Sequence, residues 1–154
     1  MRISGVGLAY PSVGPRGIGI AALWMFALTV YDIRQRRLPN WLTVPGFAVV
    51  MLVAISSGRG DGAALGAGAL AAVYLLAHAA SPAAMGAGDV KLALGLGALT
   101  GCFGLEVWSL AAIGAPLLTA AIGVLARLGR AATSVPHGPS MCLASAGAVV
   151  LALL

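Results

Sequence analysis

The chain has 154 residues, of which 60% are hydrophobic and 8% charged, with a mean hydropathy of +1.01. About a quarter of a soluble domain is charged, so this composition excludes an ordinary soluble fold and indicates an integral membrane protein. The formal charge of +5 does not imply nucleic acid, because the nine basic residues are scattered through short loops with no aromatic-interleaved basic face.

Charged residues and Gly/Pro clusters divide the chain into six expected helices: Gly17–Tyr31, Trp41–Ser56, Gly62–Ala80, Asp89–Phe103, Glu106–Leu128 and Gly138–Leu154. The fold class expected is all-α, a polytopic membrane bundle of about six transmembrane helices. Residues 1–16 form a short N-terminal segment and residues 17–154 one membrane domain, since no polar block is long enough to fold separately. A spanning helix needs roughly 20 residues. The first and fourth reach that length only if Asp32 and Asp89 lie within them or at their ends. The first apolar stretch runs into Asp-Ile-Arg-Gln-Arg-Arg without a small-x-small cleavage site, so it reads as a retained helix and not a signal peptide.

The basic residues set the orientation. With the loop after the first helix inside, Arg34, Arg36, Arg37, Lys91, Arg127 and Arg130 are cytoplasmic, against Arg2, Arg16 and Arg59 outside. Asp32 then ends an inward-running helix and Asp89 begins an outward-running one, which places both on the cytoplasmic side. Glycines at Gly62-x3-Gly66 and Gly97-x3-Gly101 have the spacing that lets membrane helices approach closely. Trp24, Trp41, Trp108, Tyr10, Tyr31 and Tyr74 read mostly as interfacial anchors.

The chain has only four acidic residues: Asp32, Asp61, Asp89 and Glu106. An acid at membrane depth is a functional-site hypothesis, and two that can meet suggest an aspartic protease dyad. Gly86 and Gly88 permit a tight or unwound backbone before Asp89, and the helical pattern resumes after it. Asp89 is thus expected at a helix N-terminus, which favours its ionised form. Asp32 is expected at a C-terminal end, with Arg34, Arg36 and Arg37 nearby. Two close carboxylates tend to share one proton, so one takes a proton from water while the other donates to the scissile carbonyl. Asp89 is the expected ionised partner. In the plainer alternative, Asp89 is only a helix cap and Asp32 only a juxtamembrane partner for the arginines.

Other chemistries lack their residues. Cys102 and Cys142 form no C-x-x-C pair, and His78 and His137 have no metal-ligand spacing to each other or to a cysteine. These four read as structural, so no metal or cofactor is expected. No serine or cysteine has a nearby base, and no glycine-rich stretch ends in Gly-Lys-Ser/Thr.

The segment Met85-Gly86-Ala87-Gly88-Asp89-Val90-Lys91-Leu92 resembles the G-x-G-D-x-K motif of type IV prepilin peptidases. Asp32-Ile33-Arg34-Gln35-Arg36-Arg37-Leu38-Pro39-Asn40 is similar to that family's first motif, an Asp followed by Ile/Leu-Pro-Asn. Pro136-His137-Gly138-Pro139 resembles its P-x-G-P entry to the last helix. The resemblance implies that Asp32 and Asp89 are catalytic. Gly86 and Gly88 would shape the loop, and Pro39 and Asn40 would fix the entry to the second helix. Lys91 would lie on the turn of Asp89, either touching substrate or anchoring the cytoplasmic face.

The implied activity is removal of the basic leader from a prepilin or pseudopilin precursor at the cytoplasmic face of the bacterial cytoplasmic membrane. Larger members carry an N-methylating region with C-x-x-C pairs. None is visible here, and the short build looks like the peptidases of tight-adherence (Flp-type) pili. The partners are thus a precursor substrate and the lipid bilayer, with no nucleic acid and an oligomeric state left open. Two other classes compete: a small transporter or channel binding ions or protons at the two aspartates, and an inert assembly factor.

Overall fold

The computed structural model describes residues 14–83, 85–130 and 135–154. Most of the expected N-terminal segment, with Arg2 and Tyr10, lies outside the described residues. Six helices follow one another: α1 (Pro15–Gln35), α2 (Asn40–Ser56), α3 (Gly60–Ala80), α4 (Ala87–Gly101), α5 (Leu105–Leu128) and α6 (Gly138–Leu153). No strand occurs among the described residues. Three spans, Arg16–Gln35, Gly60–Ala80 and Leu105–Leu128, are long and apolar enough to cross a membrane. Helices α2 and α6 are apolar but shorter, at 17 and 16 residues.

Proline and glycine mark several boundaries. Pro15 opens α1, where its missing N–H has no helical role to lose. Arg36 ends the helix in a left-handed conformation (φ 49°), its N–H returning to the Asp32 carbonyl at 2.9 Å. A side chain in that conformation costs roughly 1–2 kcal/mol, so the chain accepts a strained residue just beyond Asp32. Gly104 (φ 105°), a conformation natural only to glycine, introduces α5.

Helix α4 is the axis of the bundle, packing against α2, α3, α5 and α6, with Leu92, Ala93, Leu96 and Ala98 fully enclosed. Its tightest partner is α3. A methyl group placed on Gly62 would stand 2.8 Å from the Gly101 carbonyl oxygen, and one on Gly66 would be 2.8 Å from the Gly101 Cα. The expected close approach of these glycines is therefore real, and the two backbones touch. Helix α5 pairs with α6, and α1 is carried mainly by α6, touching α2 only sparingly.

Two aromatic residues depart from the anchoring role expected of them. Trp24 lies mid-helix in α1, and its indole N–H donates to the Leu42 carbonyl at 2.9 Å. A methyl group on Gly95 would meet that ring at 2.7 Å, so the indole is a wedge joining α1, α2 and α4. Tyr74 is buried at 4% exposure, within the core of Leu28, Leu70, Leu92 and Met141. By contrast Leu23, Phe26, Leu52, Leu76 and Leu117 all point outward. An apolar periphery of this kind fits lipid and not water.

Candidate active site

Asp32 occupies the last turn of α1, and Asp89 is the third residue of α4. The connection after α1 and the start of α4 meet directly: a methyl group on Gly88 would touch the Leu38 side chain at 3.4 Å. Gly88 is helical and Gly86 is extended (φ −73°, ψ 147°), so neither needs a left-handed backbone. The described backbone before Asp89 is non-helical only as far as Gly86, and α4 begins at Ala87. Gly88 instead gives Leu38 room to approach, and Gly86 caps the helix, accepting the Asp89 N–H at 3.1 Å.

This packing brings the two acids to one end of the bundle, close enough for the charges of Asp32 and Asp89 to act on each other. Asp32 is buried, at 7% exposure. Its Oδ2 accepts the backbone N–H of Gly138 at 3.0 Å, a bond joining residues 106 apart in sequence. A methyl group on Gly138 would stand 2.5 Å from that same oxygen. Glycine is therefore needed here for proximity and not for conformation. The charge of Arg36 also reaches Asp32.

Two further ties hold the loops around the acids. Lys91 Nζ donates to Asn40 Oδ1 at 2.8 Å, joining the start of α4 to the start of α2. Pro39 is the N-cap of α2, and its carbonyl accepts from the N–H groups of Leu42 and Thr43 and the Thr43 hydroxyl. Lys91 and Asn40 thus tie the start of α4 to the start of α2, which Pro39 caps, and Gly86 and Gly88 lie within three residues of Asp89.

A polar chain passes behind the pair. His137 Nε2 lies 2.8 Å from the Tyr74 hydroxyl, and Nδ1 lies 2.6 Å from Thr119 Oγ1. Thr119 donates to the Ala115 carbonyl at 3.1 Å, so it accepts from His137 Nδ1–H, and Nε2 accepts from Tyr74. This arrangement suits a neutral imidazole, and burial lowers the His137 pKa in the same sense. His78 pins the other loop through Nδ1 and the Met85 carbonyl at 2.6 Å.

Sequence reasoning assigned no role to Thr119 or to the Gly138 N–H, read Tyr74 as an interfacial anchor, and treated His137 only as structural. A signal for Tyr74 was present: with Ala63, Gly66, Ala67 and Leu70 it forms one helical stripe of small and apolar residues, all of them buried. Gly138 could be found only in three dimensions, because its partner is 106 positions away.

An apolar helical bundle with two converging carboxylates defines a membrane protein with an acidic site at one end. Over residues 19–129 the chain matches the Type IV leader peptidase family, and it belongs to that family of peptidases. The match includes both aspartates but ends before the Pro136–Pro139 segment. No curated protein and no solved structure matches the chain.

Proposed function

We propose that the protein is a membrane aspartic endopeptidase that removes the leader of prepilin-like precursors through Asp32 and Asp89. The observation supporting this reading most strongly is the convergence of two acids from helices remote in sequence, within a chain of a leader peptidase family. One carboxylate takes a proton from a water molecule as it attacks the peptide carbonyl. The other donates a proton to the carbonyl oxygen, and the pair works with one shared proton.

Because Asp32 Oδ2 accepts the Gly138 N–H, any proton on Asp32 resides on Oδ1, the oxygen left for chemistry. Gly138 gives Asp32 the kind of donor that the helix end gives Asp89, so placement at a helix N-terminus does not by itself make Asp89 the ionised partner. Lys91, Asn40 and Pro39 hold the surrounding turns, and Gly86 and Gly88 shape the start of α4. The arginine-rich connection, Arg34, Arg36 and Arg37, supports a cytoplasmic position for this end, and hence cleavage at the cytoplasmic face of the bacterial cytoplasmic membrane. Proteolysis without methyl transfer fits the cysteines, since Cys102 and Cys142 are free and buried.

The test is co-expression with a precursor, comparing wild type with Asp32→Asn and Asp89→Asn. Asparagine preserves size but cannot exchange the required proton. Each variant is expected to insert in the membrane while leader removal falls by about three orders of magnitude or more. Processing that survives both substitutions overturns the proposal.

A further inference from the structure

The half of α1 away from Asp32 borders a feature that peptide cleavage does not use. Where α1 and α2 part, a groove of about 360 Å³ remains. Ile20 and Trp24 wall it on α1, Val49 and Val53 on α2, and Leu99 and Phe103 form part of its lining near the end of α4. It runs along α2 from Trp41 to Ser57, about 24 Å at 1.5 Å per residue, which is most of the ~30 Å hydrocarbon thickness. Ser57 and Arg59 border its far mouth, at the membrane face opposite Asn40 and Lys91.

Arg59 is half-buried there, and its Nη1 donates to the Cys102 carbonyl at 2.8 Å. That bond orients the guanidinium without neutralising it, because the acceptor is uncharged. Asp61, on the first turn of α3, is exposed and does not line the groove. The groove thus combines a long apolar slot with a positive charge fixed where the hydrocarbon ends. A guanidinium is suited to phosphate, presenting paired N–H groups to its oxygens.

We propose that this groove binds a membrane phospholipid, one acyl chain lying between α1 and α2 and the headgroup phosphate resting on Arg59. A protein helix is a poor occupant. An apolar helix seated here would leave the Arg59 charge without an anionic partner. A phospholipid supplies both an apolar chain for the slot and a phosphate for Arg59. The bound lipid would fill the space between two helices that touch only sparingly, and so would brace the helix that carries Asp32.

The test needs no peptidase substrate, so its outcome is independent of the proposed cleavage. The full chain is purified in mild detergent, supplied with phosphatidylglycerol and weighed intact by native mass spectrometry. One lipid per chain is expected to survive washing. Arg59→Gln should raise the lipid concentration needed for half occupancy at least tenfold, and Val53→Trp should abolish retention by filling the slot. Far-UV circular dichroism verifies that both variants remain helical. As a second measurement on unaltered protein, phosphatidylglycerol with a photoreactive acyl chain should label Val49 and Val53. Unchanged retention in Arg59→Gln, or labelling elsewhere on the chain, overturns the assignment. Crosslinks from a precursor's apolar helix to Val49 in place of lipid would do the same.

Discussion

Between α3 and α4 the backbones meet at Gly62, Gly66, Gly97 and Gly101 with no side chain intervening, whereas between α1 and α2 a groove remains, bridged by the Trp24 indole. The first contact is stiff because nothing in it can change rotamer. The second is adjustable, because it depends on side chains. Asp89 stands on the stiff half and Asp32 on the adjustable half. A site assembled this way has one acid in a fixed frame and the other brought to it by the packing of α1 on α6.

The largest expected effect comes from opening the stiff contact. Gly97→Val should destabilise the bundle by about 3 kcal/mol or more, because the added group meets backbone that cannot move aside. Unfolding in mixed micelles measures it. Gly68 lies on the same helix as Gly66, but a methyl group there would have nothing within 4 Å, so Gly68→Ala should be neutral or slightly stabilising. Equal loss in both variants would mean that the α3–α4 contact is not the stiff element.

Next in size is the link between α6 and Asp32. Gly138→Ala should lower leader cleavage by about 100-fold, the scale expected when a reacting group is displaced by an ångström, while Asp32 stays buried and the protein stays folded. Activity near wild type in Gly138→Ala would show that Asp32 does not depend on this approach.

His137 sets an acid limit on the same region. Its ordinary pKa of 6.5 is lowered by burial, so the unfolded chain takes up a proton before the folded one. Its contribution to stability is therefore complete above about pH 6.5 and is lost as pH falls from there toward the lowered folded value. Thermal unfolding between pH 7 and pH 5 should show this decline, and His137→Gln should flatten it. A decline of equal slope in the variant would assign the acid sensitivity elsewhere.

The tie between Lys91 and Asn40 is smaller still, because it is exposed. Lys91→Met and Asn40→Ala should each weaken activity or stability by about 1 kcal/mol, and the double variant should be no worse than either alone. Additive losses would mean that the two side chains act separately, with Lys91 on the substrate.

These contrasts also show what could be read from the linear chain. The six helices were legible because apolar runs broken by Pro, Gly and charge leave few choices, and Asp32 and Asp89 were legible because acids are rare in such a chain. That glycines four apart serve helix packing was legible as well, though not that α3 and α4 are the pair. Trp24 was not: an indole beside a helix middle reads as an interfacial anchor until Gly46, Gly95 and the Leu42 carbonyl are brought around it. Nor was the work of Gly86 and Gly88 legible, because a glycine kept for close approach and one kept for left-handed backbone look identical in sequence. The family resemblance located P-x-G-P but could not say that its glycine carries the N–H for Asp32.

The smallest expected effect lies one residue beyond that motif. Ser140 is buried at 1% exposure on the first turn of α6, and its hydroxyl has no hydrogen-bond partner among the described residues. Removing an unpaired buried hydroxyl relieves a desolvation penalty and leaves only a small void, so Ser140→Ala should be neutral or stabilising by up to about 1 kcal/mol. Thermal unfolding and cleavage should both be measured. If Ser140→Ala preserves stability but slows cleavage tenfold, the hydroxyl serves a water or substrate group near Gly138, and the adjustable half of the site extends along α6. If stability drops instead, the hydroxyl is bonded through an ordered water. The joint between α6 and α1 would then be stiffer than its direct hydrogen bonds imply.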